Sequence, residues 1–137
     1  MKRICSACFL TGLLVWMSQT GFAADLELLE VERQIIAHTN AQRSRHGLPS
    51  LVTDPSLMKS ARIHTAWMAR RTSLQHTSAP VGENIAFGQH TPTETVQDWM
   101  NSSGHRANIL SGGYSRIGAA AYRGSNGRVY WCQQFLR

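Results

Sequence analysis

Two runs rich in strand formers and small residues, Ile117 to Arg123 and Arg128 to Phe135, stand at the end of the chain, and every long helical pattern precedes them. Between the runs lies Gly124-Ser125-Asn126-Gly127. Asn126-Gly127 predicts a hairpin turn because both residues can hold positive φ. Helices early and strands late constrain the chain to an α+β layered domain. The run Ala119-Ala120-Ala121 leaves room for a helix to pack closely on the sheet of these strands. A third strand is expected near Leu74 to His76 or through Ile85 to Phe87.

Four helices are predicted. Asp25 precedes a long pattern from Leu26 to about His46, with Leu28, Val31 and Ile35 on one face. Gly47 ends it, and Leu48-Pro49 reinforces the stop. Asp54 as N-cap and Pro55 at the first helical position start the second, whose face Leu57, Ala61, His64 and Met68 runs to about Met68. Thr91-Pro92-Thr93-Glu94 is a capping box for the third, which buries Val96, Trp99 and Met100. The fourth is a short stretch from Ser103 to Leu110, before Gly112-Gly113. No internal repeat, low-complexity tract or linker interrupts the pattern.

The first residues read as a leader rather than as part of the fold. Lys2 and Arg3 precede an apolar run from Ile4 to Met17, and Gly21 and Ala23 are small where a signal peptidase needs small residues. Cleavage is expected after Ala23, with Ala24 as the alternative, giving a signal peptide at 1–23 and one domain at 24–137. An uncleaved anchor is the competing reading, but the apolar run falls short of the ~20 residues that span a bilayer. Cys8 lacks the preceding apolar segment of a lipoprotein cysteine. Processing leaves 114 residues, enough for a real core.

Cys5 and Cys8 depart with the leader, so Cys132 is the single remaining thiol and no intramolecular disulfide can form. Cys132 reads as a small buried apolar residue on a strand. Losing Lys2 and Arg3 removes two positive charges, taking the formal charge from +6 to +4. The remaining arginines, Arg43 among them, are dispersed and read as a mildly basic solvated surface. That surface suits anionic envelope polymers or lipid headgroups, and the pattern speaks against nucleic acid.

Several motifs point to one family. His38-Thr39-Asn40-Ala41-Gln42-Arg43 precedes Gly47-Leu48-Pro49, and Ser60-Ala61-Arg62-Ile63-His64 lies mid-helix. Gln75-His76-Thr77 precedes Gly82-Glu83-Asn84-Ile85-Ala86, and Trp99-Met100-Asn101-Ser102 precedes Gly104-His105-Arg106-Ala107-Asn108-Ile109-Leu110. Over about residues 31–137 this order resembles the bacterial secreted branch of the CAP superfamily, also called SCP-like: cysteine-rich secretory proteins, antigen 5 and pathogenesis-related-1 proteins. The resemblance implies an α-β-α sandwich, with a small, mainly antiparallel sheet between helices and a cleft in which two histidines and two acids can bind a divalent metal. His64, Glu83 and His105 match three of the four. The fourth position is Ser102, which departs from the full tetrad.

Imidazole, carboxylate and imidazole form a set suited to zinc or another divalent metal, with a position open for water. Glu83 follows a glycine in what reads as a loop, and His105 stands at a helix start, where a neutral ring is favoured. Two functions follow. One is a non-enzymatic module, a monomer, binding a small molecule, lipid or cell-envelope component in a cleft of His64, Glu83, His105 and Ser102. The alternative is a zinc-assisted, peptidase-like hydrolase in which Glu83 is ligand or catalytic base; the missing acid and the lack of a His-Glu-x-x-His motif weigh toward the binding module. Either would be exported, to the periplasm or beyond. Glu83 is expected to matter more to the site than to the fold. Asn40 and Arg43 are expected to tie the first helix to loops, and Asn84 and Asn108 to tie backbone around the cleft. Trp67, Trp99 and Trp131 read as core, His38, His46 and His90 as surface or helix-end residues, and His76 as exposed, with an approach to the cleft rim as the alternative.

Overall fold

The structure, a computed structural model, describes residues 28–137. The leader, its cleavage point and the proposed start at Asp25 and Leu26 lie outside the described residues. The elements run α1 (Glu30–Arg45), β1 (Val52–Thr53), α2 (Pro55–Arg71), β2 (Gly82–Phe87), α3 (Pro92–Asn101), α4 (Ser103–Ile109), β3 (Arg116–Arg123) and β4 (Val129–Leu136). The strands form one sheet in the order β1-β3-β4-β2. Only the two-residue β1 is parallel to its neighbour; β2 and β3 flank β4 antiparallel. Helix α2 covers one face, and α1, α3 and α4 the other, so the expected α-β-α sandwich is what the chain forms.

The caps explain most boundaries. Asp54 accepts from the amides of Ser56 and Leu57, opening α2 at Pro55. Thr91 accepts from the amide of Glu94, opening α3. Helix α1 begins later than the apolar pattern suggests, because Leu28 and Leu29 precede it. Leu29 is extended, and its amide donates to the Glu32 carboxylate at 2.9 Å, which sets the start. Helix α2 outruns its apolar stripe by a turn, since Ala69, Arg70 and Arg71 are good helix formers. It stops at Thr72, a left-handed residue with φ 52°.

Three further expectations change. The third strand falls at the second of its two expected places and starts earlier, as Gly82–Phe87, while residues 74–76 are not strand. Glu83 therefore sits on β2, not in a loop; its buried polar neighbours hide the strand from apolar periodicity. The hairpin between β3 and β4 closes through Gly127 donating to the Gly124 carbonyl at 3.0 Å. Only Gly127 has positive φ there, at 76°, so the turn uses one left-handed residue instead of two. Arg43 is not part of the solvated surface but ties α1 to neighbouring loops, as expected of it. It is fully buried and donates to the carbonyls of Pro49, Ile109, Ser111 and Tyr114.

Small residues bring α2 onto the sheet as expected. A Cβ on Gly118 would overlap the backbone of Leu57 and Met58, so only glycine permits this approach. Ala61, Met68, Ile85, Tyr130 and Cys132 pack beneath α2. The larger core, around Ile35, Trp99, Ile117, Trp131 and Phe135, lies against the other helices.

Candidate functional site

Glu83 and Gln134 face each other across β2 and β4 on the α2 side of the sheet. The Glu83 side chain is almost entirely buried, and both its oxygens are used. Oε1 accepts from His76 Nδ1 at 2.8 Å and from the Thr77 amide at 2.9 Å. Oε2 accepts from Gln134 Nε2 at 2.9 Å and from the Cys132 thiol at 3.6 Å. Burial alone would raise this carboxyl's pKa. The hydrogen bonds from Gln134, Thr77 and His76, with the nearby His64, outweigh it and hold the group below its ordinary 4.5. Burial, reinforced by the Glu83 charge, pushes the Cys132 thiol well up, so it stays protonated and can donate. The buried, unreactive cysteine expected on a strand is what the structure contains.

His64 projects from α2 toward the same carboxylate. Its Nε2 lies 3.6 Å from Glu83 Oε2 but hydrogen-bonds the Gln75 carbonyl at 2.8 Å, which requires the proton on Nε2. The ring stacks on Trp67 with centroids 5.8 Å apart. His76, expected to be exposed or else to approach the cleft rim, does both: its side chain is 60% exposed, and it is the histidine bonded directly to Glu83. Its bond through Nδ1 leaves Nε2 without a partner among the described residues. His105 is carried by α4, and its carbonyl accepts from Asn84 Nδ2. Burial, then the proximity of His76, holds the His105 ring below its ordinary 6.5, so it is neutral at pH 7. Ser102 joins α3 to α4 through its backbone, donating to the Trp99 carbonyl. Nothing ties its side chain to Glu83.

Asn84 and Asn108 behave as expected. Asn84 also reaches Gln133, and Asn108 donates to the Glu83 carbonyl and to Asn84 Oδ1. These bonds fasten α4 to β2 and so fix where His105 stands. Asn40 exchanges two hydrogen bonds with the Leu51 backbone.

The donor set does not fit a metal as it is arranged. Among the described residues no group of three or more His, Cys, Asp or Glu side chains is arranged so that it could hold a metal ion. Glu83 has no oxygen left uncommitted, and His64 presents a proton, not a lone pair, at Nε2.

A groove of about 540 Å³ opens beside this cluster, between α2 and the segment after it. Its walls include Ser60, Ile63, His64, Trp67, His76 and Thr77. Trp67, expected in the core, is only partly buried there, because it lies on the outer flank of α2.

The family model for CAP, the cysteine-rich secretory protein family, matches residues 36–135. The chain belongs to the CAP family. The Bacillus subtilis protein YkwD is 34% identical over 87% of this chain, and the match spans 52% of YkwD. This CAP chain thus spans about half that relative, and a third (34%) of the Bacillus subtilis membrane protein YlbC, to which it is 28% identical. An extracellular SCP-domain protein of Bacillus anthracis superposes with a TM-score of 0.67 at 31% identity, over 77% of this chain and 40% of that one. An outer surface protein of Borrelia burgdorferi shares the fold, with a TM-score of 0.69 at 16% identity, over 78% and 94% of the two chains.

Two members of the cluster in this CAP domain escape a residue-by-residue reading. His76 lies seven residues before Glu83 in an exposed segment, and exposure alone argued against it. Gln134 shares β4 with Gln133, and both are fully buried, one on each face. Two adjacent glutamines inside an apolar strand were the available signal. Gln134 Oε1 is buried and accepts no hydrogen bond from the described residues.

Proposed function

We propose that this CAP chain is an exported binding module that takes a small amphiphilic molecule, a lipid or a fragment of cell envelope, in the groove beside α2. The carrying observation is the double commitment of Glu83. Both oxygens are spent on His76, Thr77, Gln134 and Cys132, so the carboxylate acts as a buried strut. It orders the segment that forms one groove wall and orients His76. The groove itself combines an apolar strip, Ile63 and Trp67, with hydroxyl and imidazole groups, a mixture that suits a ligand with both polar and apolar parts. A free His76 Nε2 on the groove wall offers an acceptor for a ligand donor. Export is supported by the leader pattern and by the extracellular protein among the relatives; among the described residues no helix is long and apolar enough to cross a membrane.

The zinc-hydrolase alternative needs Glu83 to release at least one of its donors and His64 to turn from Gln75. No observation favours that rearrangement. The test is amide and indole NMR shift mapping with a panel of glycan fragments, fatty acids and phospholipid headgroups. Shifts centred on His64, Trp67 and His76 are expected for one ligand class. A ligand that binds and shifts only residues away from the groove would overturn the reading, as would zinc binding at neutral pH that perturbs His64, Glu83 and His105 together.

A further inference from the structure

Helix α2 contains Lys59, Arg62, Arg70 and Arg71 and no acidic residue. Arg62 turns away to Glu32 on α1, at 2.6 Å. Lys59, Arg70 and Arg71 stay exposed, and between them Ile63 is 59% exposed and Trp67 half-buried. Residues 59, 63, 67 and 71 recur at four-residue spacing and so share one helix face. Leu74 follows, 43% exposed. Beyond the end of α2 the same side of the sheet continues with Phe87, 40% exposed, beneath the guanidinium of Arg128 at 5.3 Å from the ring centre. Arg71 lies 5.8 Å from the centre of the Trp67 ring. The hairpin adjoins the helix end, since a Cβ on Gly124 would meet the Ala69 carbonyl at 3.5 Å.

The carboxylates of the described residues are engaged elsewhere. Glu30 pairs with Arg33, Glu32 with Arg62 and Asp54 with Arg116. Glu83 is buried, Glu94 accepts from the His90 amide, and Asp98 accepts from Gln89. The α2 face therefore carries cations without acids, interleaved with projecting aliphatic and aromatic groups.

We propose that this face docks on an anionic lipid bilayer. The cations complement a negatively charged headgroup layer, and a surface potential of that kind contributes about 1 kcal/mol per nearby Lys or Arg. Ile63, Leu74 and Phe87 argue for a bilayer over a soluble polyanion. A hydrophilic polymer offers such groups nothing, whereas the boundary between headgroups and acyl chains accepts them, as it does the apolar side of an interfacial helix. Aromatic rings capped by arginine suit the same boundary. The docking face shares α2 with the groove but does not rest on the groove's holding a ligand.

Co-sedimentation of the exported form with vesicles tests this. Binding is expected to vesicles of phosphatidylglycerol in phosphatidylcholine, weakening with salt, and not to phosphatidylcholine alone. Replacing Arg70, Arg71 and Arg128 by Gln should weaken binding about a hundred-fold, about five-fold for each charge. Arg33→Gln with Arg45→Gln, away from this face, should leave it unchanged. Leu74→Ser with Phe87→Ser should also weaken it, with circular dichroism confirming the fold of each variant. Equal binding to uncharged vesicles, or an unaffected triple-arginine variant, would overturn the proposal. So would a Leu74/Phe87 variant that binds as well as the parent, because that result would mark a polyanion site instead of a bilayer face.

Discussion

At the scale of single residues, Glu83 does two jobs that the sequence suggested were separable. Its four donors make it part of the fold as well as of the site. Glu83→Gln keeps the volume but places an amide NH2 against groups that all donate, so a loss of about 1–3 kcal/mol is expected in denaturant unfolding. The acid response carries the same signature. A carboxyl held below its ordinary 4.5 contributes stability that is complete above that value and is lost as pH falls through the depressed folded value. Unfolding free energy measured against pH should therefore fall less steeply below about pH 4.5 in the Gln variant; parallel curves would mean the charge is not coupled to folding. His76→Ala touches the same carboxylate from the solvent side. It should cost only about 1 kcal/mol, while speeding hydrogen exchange at the Thr77 amide, whose acceptor it loosens.

At the scale of elements, the contact between α2 and β3 is the most exacting. Gly118→Ala would set a methyl group against the backbone of Leu57, and backbone cannot swing aside as a side chain can. We expect a loss of about 3 kcal/mol or more, read from urea midpoints. Gly82→Ala is the matched contrast: its methyl would meet the Tyr114 hydroxyl, a side-chain end that can move, so the cost should be smaller. This pair also shows what a sequence reveals. Asp54-Pro55 and Thr91-Pro92 announced two helices because capping is local chemistry. The β3–β4 hairpin announced itself through its turn. Strand β1, two residues long, is too short to carry a pattern, and β2 showed only its apolar end, Ile85 to Phe87, because Glu83 and Asn84 before it are buried against polar partners and break the alternation. For the same reason Glu83 stood out by its motif, while Gln134, its partner across the sheet, is 51 residues away in sequence and visible only once the strands pair.

At the scale of the whole molecule, cohesion comes from the core and from a buried cation. Burial lowers the pKa of Arg43, yet an arginine stays charged, and four main-chain oxygens take the place of water around it. They belong to the segment before β1 and to the end of α4 and the segment after it, so one side chain joins both halves of the chain. Arg43→Met fills similar space but leaves those carbonyls unpaired, and a loss of about 3 kcal/mol or more is expected in thermal or chemical unfolding. By contrast Cys132 is the only cysteine among the described residues and is buried. Melting of the processed domain should be the same with and without a reductant; a clear drop on reduction would reveal a covalent link between copies.

The order of the sheet has a consequence for how the molecule comes into being. Strand β4, the last of the described elements in chain order, lies between β3 and β2. While the ribosome is still short of residue 129, β2 has no neighbour to pair with, β3 has only the two residues of β1, and Glu83 lacks both Gln134 and Cys132. A nascent chain of this kind cannot settle piece by piece from its N-terminus. Until β4 emerges the sheet stays open, and an open sheet is a state that a narrow translocation channel could accept.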